Sequence, residues 1–423
     1  MTPAQISTAF FLQVFVILLV AQLVGTLAQR WFGQPRVVGE MIAGVLLGPS
    51  LLGALAPDFQ AWLFPAETKP ILFTVAQMGV GLYMFIVGLG FDRDEFSSNA
   101  RGAAAVSIAG MLGPFVAAMA IVPWLLGQPG LFAPGIDYVQ ASLFLGAAIA
   151  ITAFPMLARI IHERGISGTA VGTLSLSAGA VGDAGAWALI AIVLASMGDG
   201  AFYAVRAIGG GMAFAIFMIW IAPRILAPLG KISEQRGEVG HGLIAIALIL
   251  YMISAWAMDA IGIHAVFGGF LLGSAMPRGA LANGLRDKLE PVTVVLLLPF
   301  FFTYSGLNTA LLLVNSGALL MVTLAILLVS ILAKGGASYL AARLSGQNQR
   351  DALGIGALMN ARGLMELIVI NIGLQRGVIG PSLFSMLVLM AVLTTLMASP
   401  LFEATRKGAS ERAAPRPVNR LQE

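Results

Sequence analysis

Five ionisable side chains lie within long apolar runs of this sequence: Glu40, Asp183, Lys334, Arg362 and Glu366. A charge in such a setting costs about 2.5–3.5 kcal/mol on insertion scales and usually marks function. Asp183 is the sharpest of the five. It sits in Ala178-Gly179-Ala180-Val181-Gly182-Asp183-Ala184-Gly185-Ala186-Trp187. Small neighbours let helices approach closely and leave room for an ion beside a single carboxylate. Desolvation favours the neutral form of a carboxylate, so a group placed like this can trade a proton for a metal cation near physiological pH. Lys334 is either its paired base or a second titrating group. Arg362 and Glu366 are four apart, share a helix face and can neutralise each other; the pair reads as structural. Glu40 follows Gly39 near the end of its apolar run and is expected to reach the interface.

The surrounding composition says what must position these groups. Of 423 residues, 58% are apolar and only 10% charged, with a mean hydropathy of +0.91. Ordinary soluble domains carry roughly 25% charge, so a cytosolic enzyme and a disordered or fibrous chain are excluded. A polytopic membrane protein remains, with the lipid bilayer as its first partner. There is no cysteine, which removes disulfides, thiolate metal sites and thiol catalysis. His162, His241 and His264 are too scattered for a metal cluster. The pI of about 9.6 reflects basic cytoplasmic loops, not nucleic-acid binding.

A membrane helix needs about 20 apolar residues to cross roughly 30 Å of hydrocarbon. Thirteen stretches qualify: 6–29, 37–55, 70–91, 102–126, 138–161, 169–196, 202–226, 240–258, 262–276, 289–308, 316–342, 351–374 and 380–403. The runs are continuous, not alternating, which speaks against a barrel. With the N-terminus outside, nineteen of the 24 Lys and Arg face inward and only Lys69, Arg206 and Arg376 face outward. That asymmetry fixes the orientation and requires an odd number of spans. Residues 1–403 read as one membrane domain, and the polar tail 404–423 as a short disordered cytoplasmic end.

Thirteen spans divide into six, a linker and six: about 6–196, 202–226 and 240–403. The first half enters from outside and the second from inside, as in the inverted repeats of secondary transporters. Gly44-Val45-Leu46-Leu47-Gly48 in the second span has a counterpart in Gly269-Phe270-Leu271-Leu272-Gly273 of the ninth. The fifth and twelfth spans, also counterparts, are both interrupted. Thr152-Ala153-Phe154-Pro155 places a proline in mid-membrane, where it removes a donor and clashes with the preceding turn. Asn360-Ala361-Arg362-Gly363 puts polar groups and a glycine at similar depth. Broken helices at matching positions point to a midplane ion site. Freed carbonyls can ligand a cation there, and helix ends add partial charges.

Val37-Val38-Gly39-Glu40-Met41-Ile42-Ala43-Gly44-Val45-Leu46-Leu47-Gly48-Pro49 resembles the early signature of the monovalent cation:proton antiporters, in particular the Kef-type and plant cation/H exchanger branch. Further matches follow in order to about residue 373. They are Thr152 to Pro155 with Leu157-Ala158-Arg159; Gly182-Asp183 with Ala186-Trp187; Leu298-Pro299-Phe300-Phe301 leading to Ser305-Gly306-Leu307; and Leu358 to Leu367. The resemblance implies an all-helical Na+/H+ antiporter-type fold, usually a homodimer in a bacterial inner membrane. In it, a core carrying crossed broken helices moves against a scaffold. It implies Asp183 as the alternating cation and proton carrier, Thr152 as the threonine of the first break, and Lys334 as the facing base. No cofactor is implied beyond the transported Na+ or K+ and H+. The family often has Asn or Asp where Gly182 stands. Kef proteins carry a cytoplasmic nucleotide-binding domain that the twenty tail residues do not supply, so gating through one is not expected.

Two other classes compete. An intramembrane aspartyl protease needs two carboxylates sharing a proton, but residue 180 is alanine where Gly-x-Gly-Asp is required, and no span offers a Tyr-Asp partner. His162-Glu163 lacks the second histidine of a zinc-protease helix. A cation channel needs a filter or a charged ring, and neither is present.

Overall fold

The computed structural model describes the chain except residues 92, 195–200, 309–315, 363–365, 367–368, 371–372, 375 and 407–423. The side chains of 93–100, 155, 183–184, 187–194, 201 and 203–204 also lie outside the described residues. Most of the predicted tail falls there too. Among the described residues the only extended pairing is a lone bridge between Phe132 and Ile379; nearly everything else is helix. In hydrocarbon a chain must satisfy its own backbone groups, and helices do so within one segment.

All thirteen predicted stretches correspond to helices. Among the described residues, nine are long and apolar enough to span: Pro3–Phe32, Arg36–Leu55, Pro57–Leu89, Arg101–Leu126, Val205–Arg236, His241–Ile261, Ala280–Leu307, Gly317–Leu344 and Pro381–Arg406. The other four are Tyr138–Ala150 with Phe154–Glu163, Ala170–Leu194, Ala265–Ala275, and Gln349–Leu358 followed by the helical residues 366, 369–370 and 373–374. They are called spans one to thirteen in chain order below. The division between spans eight and nine is set by Gly262, whose φ of 101° stops the helix, and by His264, whose ring accepts from the Val266 amide to cap the next one. Helix ends differ from expectation where polar residues lead in or out. Span seven continues to Arg236, so Arg224 and Lys231 lie on the helix itself. Span ten begins at Ala280, well before the apolar run, because Ala280–Val292 is amphipathic.

The helices pack as two bundles. Spans four, five, six, eleven, twelve and thirteen contact one another extensively, as do spans one, two, three, eight, nine and ten, while span seven touches span six of the first group and spans eight, nine and ten of the second. Between the bundles, the second half of span five touches spans two and three. We refer to these as the core and the scaffold. Lipid tails are as apolar as leucine, so close backbone approach, not water exclusion, holds such helices together. The two glycine motifs provide it. A side chain at Gly44 would land on the Phe302 carbonyl of span ten, and one at Gly269 on the Gly81 carbonyl of span three. Span two therefore crosses ten, and nine crosses three.

Candidate ion site at the crossed helix breaks

The first half of span five ends at Ala150. Ile151 to Ala153 are extended, with ψ of 131° at Ile151 and 93° at Ala153, and the helix resumes at Phe154. Continuing it would set the ring of Pro155 against the carbonyl four residues back, which places the break where it is observed. In span twelve the helix stops at Leu358 and is helical again at Glu366. The two breaks lie against each other. The Ala153 amide donates to the Ala361 carbonyl at 3.1 Å, and the Thr152 hydroxyl donates to the Met359 carbonyl at 3.3 Å. Two separately interrupted segments, more than two hundred residues apart, thus satisfy part of each other's freed backbone.

The C-terminal end of the Tyr138–Ala150 half-helix carries orphan carbonyls and a partial negative charge. Two cationic side chains meet it. Arg362 donates to the Ala148 carbonyl at 3.2 Å, and the Lys334 ammonium donates to that of Ala150. Lys334 is 1% exposed and sits in a π-helical turn, Ile331–Gly335, a distortion often found at functional sites. Arg362 is wholly buried. It pairs with Glu366 at 3.1 Å, donates to the Ser330 hydroxyl, and its amide donates to Thr395 Oγ1 at 2.9 Å. Asn360 donates to the Gly356 carbonyl at 3.0 Å. Its Oδ1 and one Glu366 oxygen are buried with no partner among the described residues.

Thr152, Lys334, Asn360, Arg362 and Glu366 are therefore brought together. The side chains of Asp183 and Pro155 lie outside the described residues. The backbone of Asp183 is helical, in Ala170–Leu194, and its helix runs close to the break. A Cβ at Gly179, one turn earlier, would lie 2.7 Å from Leu157 on the second half of span five.

Glu40 departs from expectation. It is 5% exposed, covered by Arg159 of the core at 3.8 Å. Arg159 also pairs with Glu163 at 2.5 Å, and Glu163 accepts from the Val37 amide at 3.2 Å. Pro35 has no side-chain oxygen to cap the helix of span two, so a core carboxylate does so across the bundle boundary. His162 meets Glu290 at 3.2 Å. A cavity of about 610 Å³ opens beside these contacts, between core and scaffold, lined in part by Gln34, Arg36, His162 and Glu290. The sequence reading missed Ser330, Thr395 and the Arg159–Glu163 pair; only the last has a signal, its i,i+4 spacing.

Residues 15–405 match the family profile described as sodium/hydrogen exchanger, transmembrane. The Na(+)/H(+) antiporter NhaS4 of Synechocystis sp. is 38% identical over 393 residues, covering 92% of this chain and 95% of that protein. Cation/H(+) antiporter 17 of Arabidopsis thaliana is 33% identical over 399 residues, covering 94% of this chain but 48% of its own length. The chain thus spans about half of that plant relative. Among solved structures, the sodium proton antiporter MjNhaP1 of Methanocaldococcus jannaschii superimposes with a TM-score of 0.62 at 16% identity, covering 95% of this chain and 97% of its own. At that identity the likeness concerns the fold.

Proposed function

The chain belongs to the sodium/hydrogen exchanger family of membrane transporters, and from that premise we propose that it exchanges Na+ or K+ for protons by alternating access, Asp183 holding cation and proton in turn. It is a transporter of monovalent cations and protons and not an enzyme. The observation that carries the reading is the crossing of the two breaks, tied by the Ala153–Ala361 hydrogen bond, with Lys334 and Arg362 on the half-helix carbonyls. An arrangement that costs two helices their continuity is useful where a cation must exchange water for fixed oxygens.

Thr152 is the second proposed cation ligand, and Lys334 the compensating charge. Pro155, Asn360, Arg362 and Glu366 hold the breaks open. Spans one to six and eight to thirteen form inverted repeats. The reciprocal crossings, two on ten and nine on three, support this, since an inverted exchange of halves turns one into the other. The core then moves against the scaffold, and the contacts of Glu163 and His162 across that boundary break during the movement. The protein works as a homodimer in a bacterial inner membrane, N-terminus outside and C-terminus cytoplasmic.

The test is proton flux in inverted vesicles on adding Na+, K+, Li+ or Rb+ separately, with wild type and Asp183→Asn. An amide cannot carry the alternating charge, so the variant should insert and fold yet exchange nothing. Substantial cation-driven proton flux in folded Asp183→Asn refutes the assignment.

A further inference from the structure

At their basic-loop ends, spans four, six and eleven of the core enclose a cavity of about 520 Å³, within the range of about 300–1,000 Å³ usual for small-molecule pockets. Small residues make the space: Gly102 and Ala105 of span four and Ala341 of span eleven line it. Leu174 and Leu344 add apolar wall, and Gln347 a side-chain amide. Among the described residues Arg101 is the one charged group that lines it, and no acid does. The cavity between core and scaffold differs in this respect, since Glu163, Asp287 and Glu290 stand there beside Arg36, Arg159 and Arg164. An anion is therefore drawn to the first cavity and not to the second. The walls continue as apolar surface. On span four, Arg101, Ala105, Ile108, Leu112 and Val116 follow at spacings of four, three, four and four and share one face; the last three are each more than half exposed. On span eleven, Leu340 and Leu344, one turn apart, are both at least 60% exposed. The two spans meet further in, where a Cβ at Gly113 would lie 2.7 Å from that of Ala337, so the space between them closes with depth.

We propose that this cavity holds the headgroup of an anionic phospholipid from the leaflet on the basic-loop side, its phosphate on Arg101 and its acyl chains along the exposed apolar residues of spans four and eleven. A guanidinium forks onto phosphate through two parallel hydrogen bonds, and basic pockets between membrane helices on the side of the positive loops suit such headgroups. An arginine near a helix end ordinarily stretches towards the phosphate level. What sets Arg101 apart is the acid-free hollow beside it, bounded by surface that acyl chains would cover. No residue of the helix breaks lines this cavity, and the inference does not rest on the antiport reading.

The chain has no cysteine, so Leu344→Cys, at a position 90% exposed, takes a fluorophore at one place only. The labelled protein is reconstituted in phosphatidylcholine vesicles. Phosphatidylglycerol or phosphatidylcholine, each spin-labelled high on one acyl chain, is then included in rising fraction. Phosphatidylglycerol should quench the fluorophore at the lower fraction. Arg101→Gln should cut that preference about fivefold, the worth of one basic residue near an anionic surface. Gly102→Leu keeps the arginine and fills the hollow, since a Cβ at 102 would already stand 3.5 Å from Leu174 and Ser345, and it should cut the preference as far. Leucine is the better helix former, so this variant is expected to fold even if Arg101→Gln does not. Equal quenching by the two lipids without either substitution, or a preference that survives one of them, overturns the site. A fluorophore that neither lipid reaches would mean that a second copy of the chain covers this face, and a preference abolished by inorganic phosphate would mean a free anion; either overturns the lipid assignment.

Discussion

Arg362 and Glu366 offer a quantitative test of what holds the second break. Both are wholly buried. Arg362 contacts Glu366 at 3.1 Å, the Ala148 carbonyl at 3.2 Å and the Ser330 hydroxyl. Arg362→Met leaves a carboxylate in a dry site, and breaking a buried pair from one side typically costs about 3–5 kcal/mol. Lys334 also acts electrostatically on Glu366, so the lower end, about 3 kcal/mol, is expected. Glu366→Met strands the guanidinium, which keeps its contacts to Ala148 and Ser330, and should cost a similar amount. The double variant strands no charge. It leaves the Ala148 carbonyl and the Ser330 hydroxyl short of a donor, about 1–3 kcal/mol for each, but Arg362→Met bears that same loss and strands the Glu366 carboxylate besides. The double variant should therefore be more stable than Arg362→Met alone. Unfolding in SDS-containing mixed micelles, followed by fluorescence of the six tryptophans, gives all three values. Thiol-reactive dyes have no target in a chain without cysteine. A double variant no more stable than Arg362→Met would mean that the two charges do not compensate each other. The role of Arg362 would then lie at the Ala148 carbonyl.

Further outcomes follow from the same geometry. Pro155→Ala restores a backbone donor and permits a continuous span five, so turnover or apparent cation affinity should fall more than thermal stability does; if neither changes, the proline is not what sustains the break. Glu163→Ala removes the cap on span two that the core supplies, so apparent affinity should fall for cation offered on the basic-loop side and rise for cation offered on the other. Sided uptake assays should show a change of up to about fivefold for a cap worth about 1 kcal/mol, and a rise on the basic-loop side contradicts the reasoning. If Asp183 carries one ion per half-cycle and Gly182 supplies no second acid, exchange should be electrically silent. An imposed potential in liposomes without ion gradients, worth about 2.3 kcal/mol per charge at 100 mV, should then build no pH difference; cation-dependent proton pumping would make Lys334 the second proton carrier.

The parts legible in the sequence are those that lipid imposes one segment at a time. Hydrocarbon thickness demands a long apolar run for each crossing, so thirteen spans can be read from composition alone. The covalent geometry of proline marks the break before Phe154. Pairings between segments are another matter. Glycine at 44 and 269 predicts a close approach, but nothing local says that the partner carbonyls belong to Phe302 and Gly81. Glu40 looks like an interface residue until Arg159, from the other bundle, is set over it. Hydroxyl residues are the hardest to read. A serine or threonine in a membrane helix can turn its hydroxyl back onto the carbonyl four residues earlier, as Thr323 does to Leu319 and Thr293 to Leu289, both at 2.7 Å. Satisfied in that way, it says nothing about ions or water. Ser107 and Ser338 have the same local sequence character, yet among the described residues their hydroxyls have no partner.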